Sequence, residues 1–188
     1  MTGRKLLIIF LFLLLALLIC VFPSTNSKYE SVITSNGKSE VAIYLLDTSY
    51  SVTEIKLTDL QPSVTPYVYS FTVANNNGVD RTETSLEYTL SLRTTTNLPL
   101  QYELYLDEDY QDSSSTNLFD TSEIMVDDDG MYFLKVSIPK RTFGYTQNEI
   151  DNYTLVIYFP YQYRDYNYQN MIESIELIVD SKQIIPTS

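Results

Sequence analysis

The stretch Ser85–Arg93, "SLEYTLSLR", decides the fold class. Leu86, Tyr88, Leu90 and Leu92 occupy alternate positions, with Glu87, Thr89, Ser91 and Arg93 between them. Successive side chains of a strand point to opposite faces, so this spacing makes one apolar and one polar face; a helix would scatter the same residues around its axis.

The same period recurs on both sides. "PYVYSFTVA" aligns Tyr67, Tyr69, Phe71 and Val73 and ends in "NNNG", Asn75–Gly78, a turn signal. "LQYELYL" sets Leu100, Tyr102, Leu104 and Leu106 against Gln101, Glu103 and Tyr105. "SEIMV", "DDDG" and "MYFLKVSI" read as a hairpin turning at Asp129-Gly130. "NYTLVIYF" and "IESIELIVD" add two strands, and "EVAIYLLD" with "SVTEIKL" is expected to form a further pair. Only "TQNEIDN", Thr146–Asn152, is short and polar enough for a helical turn. Many short strands with alternating faces predict an all-β, two-sheet β-sandwich of jelly-roll or Greek-key type.

Upstream the character changes. Leu6–Phe22 is an uninterrupted apolar run of 17 residues, preceded by Arg4 and Lys5 and followed by Pro23. At about 1.5 Å per residue such a helix spans about 26 Å, close to a hydrocarbon core of about 30 Å. It is an export signal or a membrane anchor. The run exceeds the usual signal core of about 7–15 residues and no A-x-A follows it, which favours an anchor. Thr25-Asn26-Ser27 is the best-placed cleavage site, before Lys28, and the product would then be secreted. Ile19 is too large for a lipidation signal at Cys20. Under either reading Arg4 and Lys5 keep the N-terminus cytoplasmic, and the domain lies on the extracellular face of the plasma membrane. The expected division is 1–27 signal or anchor, 28–39 linker, and 40–185 extracellular domain.

Composition excludes several functions. The chain has 24 acidic and 12 basic residues, a net charge of −12, and all the acids follow the apolar run. Nucleic-acid binding needs a cationic footprint, so no nucleic-acid partner is expected. There is no histidine, and Cys20 is the one cysteine. Ser–His and Cys–His nucleophiles, H-E-x-x-H zinc sites and disulfides are therefore absent from the exported part, and we expect no catalysis. A cysteine-free exported domain rich in Asn, Tyr, Ser and Thr has the composition of a Gram-positive surface protein.

What remains is carboxylate and tyrosine. Asp107-Glu108-Asp109 with Asp112, and Asp127-Asp128-Asp129-Gly130, supply the oxygen ligands that Ca²⁺ takes from flexible loops. Asp107, Asp109, Asp127 and Asp129 are the candidate ligands, and no other cofactor is expected. The spacing is not that of an EF-hand, and an Asp-Gly hairpin with solvated charges accounts for the second cluster equally. Paired carboxylates for glycoside hydrolysis would need a separation of about 5–9.5 Å that spacing in sequence does not specify. Asn152-Tyr153-Thr154 matches a glycosylation acceptor by chance. Finally, "YFPYQYRDYNYQN", Tyr158–Asn170, sits between the last two strands. Tyr161, Tyr163, Tyr166 and Tyr168 either cap the sandwich or form an adaptable surface for a neutral cell-wall glycan or a protein partner.

Asn75–Asn77, the strand Tyr88–Leu92, "NLPLQY" at Asn97–Tyr102 and the segment Tyr158–Gln183 follow one another in an order that resembles the camelysin and TasA-like exported proteins of Gram-positive bacteria. The resemblance covers Tyr67–Gln183. It implies a jelly-roll domain at the cell surface, in some members assembling into biofilm-matrix fibres by lending an N-terminal strand to the next subunit. In this chain the donor would lie near Tyr29–Thr48. Two departures stand out: the signal lacks the group's small-residue cleavage site, and the absence of histidine contradicts the metalloprotease label the group has carried.

Overall fold

The computed structural model describes residues 29–34, 41–46, 49–56, 60–107, 110–111, 114–164, 168, 171 and 173–185. The apolar helix 6–22, Cys20 and the cleavage position at Ser27 lie outside them. Among the described residues no helix is long and apolar enough to cross a membrane.

Eleven strands run along these residues: β1 Tyr29–Thr34, β2 Val41–Tyr44, β3 Ser49–Lys56, β4 Tyr67–Ala74, β5 Ser85–Thr95, β6 Gln101–Leu106, β7 Thr121–Val126, β8 Tyr132–Ser137, β9 Arg141–Phe143, β10 Ile150–Tyr158 and β11 Ile175–Ile184. The larger sheet has the order β1-β3-β11-β5-β8-β7, with β9 pairing the first half of β5 and β8 its second half. The smaller sheet is β2-β4-β10-β6. The fold is thus an all-β, two-sheet sandwich.

The alternation of β5 explains why the sheets stack. Leu86, Leu90 and Leu92 are fully buried and Tyr88 nearly so. Across from them the smaller sheet turns in Tyr69, Phe71 and Val73 of β4, Leu104 of β6, and Tyr153, Leu155 and Ile157 of β10, all in the same core cluster. β11 adds Ile175, Leu177 and Val179. Burying each large apolar side chain is worth about 1.5–3 kcal/mol and works against the entropy lost in ordering the strands. Phe71 stacks on Tyr153 at 5.2 Å and Tyr88 on Phe143 at 4.9 Å between ring centroids.

The outer face of the larger sheet carries the charges. One row reads Glu54, Glu176, Arg93, Lys135 and Glu123 across five strands. Arg93 Nε donates to Glu176 Oε2 at 2.8 Å, and Lys135 sits 3.3 Å from Glu123. The pairs Glu176–Arg93 and Lys135–Glu123 are opposite in sign, as suits a solvated sheet face, while Glu54–Glu176 and Arg93–Lys135 are alike.

Three expectations change. β2 and β3 do not pair with each other: β2 pairs with β4 in one sheet, and β3 with β1 and β11 in the other. Leu45, fully buried, donates its N–H to Ala74 O at 2.7 Å and so carries the β2–β4 ladder one residue past Tyr44 instead of turning back toward β3. Thr146–Asn152 holds no helical turn, because Ile150–Asn152 is already paired with β4 as the start of β10. And β1 falls inside the segment 28–39 expected as a linker. It pairs in parallel with β3 from Tyr29↔Ser51 to Thr34↔Lys56.

Candidate functional site

The tyrosine segment begins where β10 ends. Pro160, at φ −58°, starts a single 3-10 turn over Tyr161–Tyr163, closed by Tyr163 N–H donating to Pro160 O at 3.0 Å. The turn separates its rings into two layers. Tyr168 packs edge-on against buried Phe159 at 6.0 Å and against Tyr163 at 6.1 Å. Tyr161 instead points outward, 50% exposed. The Arg164 guanidinium lies 4.9 Å from the centre of its ring, and Arg164 Nη1 donates to its phenol oxygen at 2.7 Å. Tyr163 and Tyr168 thus build an inner aromatic layer, while Tyr161 with Arg164 forms a solvent-facing plate. Tyr166 lies outside the described residues.

The acidic loops have different local structures. Asp127 Oδ1 accepts from the N–H groups of Asp129 at 3.0 Å and Met131 at 2.8 Å, so its carboxylate organises the β7–β8 turn that Gly130 completes at φ +80°. Asp129 is exposed beside it. Asp107, in the left-handed region at φ +51°, ends β6 and accepts from Asn152 Nδ2 at 2.8 Å. Asp109 lies outside the described residues. Among the described residues no group of three or more His, Cys, Asp or Glu side chains could hold a metal ion.

Three polar clusters escaped the reading of the sequence. The first lies between the sheets. Tyr88 OH donates to Asp151 Oδ2 and lies 2.7 Å from Tyr153 OH. Asp151 also accepts from Arg141 Nε at 2.8 Å and Nη2 at 3.3 Å. Burial, then the neighbouring Tyr153, push the Tyr88 phenol far above its usual range; burial likewise raises Tyr153. Both therefore stay protonated and act as hydrogen-bond links: the Arg141 cation favours the Tyr153 phenolate, but burial and the Asp151 carboxylate outweigh it. The second is Asn75, fully buried at the end of β4. Its Nδ2 donates to Gly144 O at 2.7 Å and Gln147 O at 2.9 Å, and its Oδ1 accepts from Glu149 N–H at 2.9 Å. The side chain clamps the loop before β10 to the "NNNG" turn. Alternation placed Tyr88 on the apolar face of its strand, but only sheet stacking reveals that its hydroxyl meets that of Tyr153.

At the far end Glu173 accepts from Thr94 Oγ1 at 2.6 Å, Thr95 Oγ1 at 3.1 Å and Leu98 N–H at 2.8 Å. Burial raises its carboxyl pKa despite these donors. The cluster fastens the 96–100 turn to β11 and leaves its carboxylate fully engaged.

No protein-family model matches the chain, and no curated protein matches it. Among solved structures it is similar to the pre-peptidase C-terminal domain of a collagenase from Bacillus anthracis, at 11% identity and a TM-score of 0.32, over 79% of this chain and 100% of that one.

Proposed function

We propose that the chain is a non-enzymatic structural or interaction protein of the bacterial cell surface, which self-associates by donating an N-terminal strand. One observation carries the reading. β1 and β2 are the only parallel pairings among the described strands, each at the outer edge of its sheet, while every other pair is antiparallel. Parallel pairing is slightly weaker per residue, and an edge strand has one neighbour instead of two. An N-terminal strand held this way is the easiest element to exchange for the same strand of another copy. Because successive strands cross between the sheets, we also read the connectivity as of jelly-roll kind. The apolar run 6–22 would tether the assembly to the membrane, or release it if cut near Ser27.

The experiment is deletion of Tyr29–Thr34, with particle size followed by light scattering and electron microscopy. Loss of assembly with an intact fold supports donation. Assembly unchanged by the deletion, or absent in both forms, overturns it.

A second reading, a binding module for a neutral glycan or protein partner, is favoured by Tyr161 alone. A half-exposed ring braced by Arg164 is the kind of surface on which a sugar face stacks. Tyr161→Ser should then abolish retention on cell-wall glycan; retention by the variant would end this reading.

A further inference from the structure

We propose that the free edge of β7 is a docking site for an extended polypeptide of another protein, apolar at its centre and basic at both ends. This goes beyond strand donation, which concerns the opposite edge of the sheet.

β7 ends the larger sheet, and among the described residues its single strand partner is β8. Among the described residues no second strand meets its outer backbone groups, and such an edge can take a further strand. Following the ladder outward shows how the sandwich runs out beneath it. Leu92 is fully buried, Val136 opposite it is partly buried against the core, and Ser122 beyond is exposed. Two positions along, Thr94 is 2% exposed, Leu134 is intermediate, and Ile124 is 73% exposed. Val126, on the same face, is 55% exposed, and Tyr132 opposite it 65%. Ile124, Val126 and Tyr132 thus form an apolar ledge on the core side of the sheet, beside an unpaired strand edge. On the other face Met125 is also exposed.

Charge selects the occupant. Glu123 is neutralised by Lys135 at 3.3 Å. The two ends of the strand are acidic: Asp120 before it, and Asp127, Asp128 and Asp129 after it, all exposed. A second copy of β7 laid antiparallel would set Asp120 against the three aspartates of its partner, and laid parallel it would set like ends together. Like charges opposite one another across strands are destabilising. A strand with lysine or arginine at both ends meets acid at both ends in either direction, with apolar side chains on the ledge between.

The test uses the full chain in calorimetric titration. One synthetic peptide carries paired lysines at both ends with alternating valine and threonine between; its counterpart carries paired glutamates instead. The lysine peptide should bind and the glutamate peptide should not, with the affinity falling as salt is raised. Ile124→Thr with Val126→Thr should weaken binding by at least about tenfold. Asp128→Lys with Asp129→Lys, which leaves the ledge intact, should weaken the lysine peptide and admit the glutamate peptide. Failure of the wild-type chain to bind the lysine peptide overturns the proposal. So does binding indifferent to either double variant, or sedimentation showing a dimer that Ile124→Thr with Val126→Thr dissolves.

Discussion

Tyr88 of β5 and Tyr153 of β10 join the two sheets through their phenol oxygens, 2.7 Å apart. Tyr88 spends its proton on Asp151, so the Tyr153 hydroxyl donates to Tyr88. Arg141 from β9 holds the same carboxylate, its Nε donating to Oδ2 at 2.8 Å and its Nη2 to Oδ1 at 3.3 Å. The result is a chain of hydrogen bonds running from the core to the rim of the sandwich.

Removing different links should cost different amounts. Tyr153→Phe deletes the terminal donor and should destabilise by about 1 kcal/mol. Tyr88→Phe strands the Tyr153 hydroxyl and takes a donor from Asp151, and should cost about 2–3 kcal/mol. Urea denaturation of both variants, at equal m-values, measures the difference. Equal losses would show that the hydroxyls do not act as a chain.

Alkaline titration should be held back by the fold. Burial raises the phenols of Tyr88, Tyr102 and Tyr153 above their unfolded pKa of about 10. A group whose folded pKa is raised contributes stability that is whole below the unfolded value and is lost as pH climbs toward the folded one. Stability should therefore fall above pH about 10, and these three rings should ionise only on unfolding. Tyrosinate absorbance rising for all the rings before any loss of circular dichroism would refute this.

Asn75 should tolerate no isostere. Asn75→Ala leaves two carbonyls and one N–H without their partner in the interior, at a cost of about 3 kcal/mol. Asn75→Asp should be worse at neutral pH, because a carboxylate would face the Gly144 and Gln147 carbonyl oxygens. Thermal melts at pH 7 rank the two. If Asp proves the milder change, the amide is not the donor shown here.

Within the tyrosine loop, stability and exposure should separate. Tyr168→Ser removes the ring that covers Phe159 and should lower the melting temperature by several degrees, corresponding to about 1–2 kcal/mol. Tyr161→Ser should leave it within about 0.5 kcal/mol, as for other exposed substitutions. Equal effects would mean that the loop has no inner and outer layer.

The class of fold was legible because Leu86, Tyr88, Leu90 and Leu92 announce their common face through local spacing alone. Strand partners were not. Ser49 and Ser181 meet at 3.0 Å though 132 residues apart, and no local pattern encodes that choice. β9 is three residues long, too short for any period to show. Asn75 was visible as a turn residue, yet its burial depends on the loop before β10 folding over it. "EIMV" reads as core by hydrophobicity, and only the finite width of the smaller sheet leaves it in solvent. Among the proposed ligands, the role of Asp127 in organising its own turn was the reading that its Asp-Gly neighbour already allowed.

The position of β11 governs when the domain can form. This last strand lies at the middle of the larger sheet, zipped to β3 on one side and β5 on the other. A chain emerging from N- to C-terminus therefore presents two disconnected half-sheets, β1–β3 and the group around β5, until residue 175 has arrived. Loop closure over such separations makes folding slow, and closure of the larger sheet must await β11. Until that strand is made, β3 and β5 have no neighbour to join them.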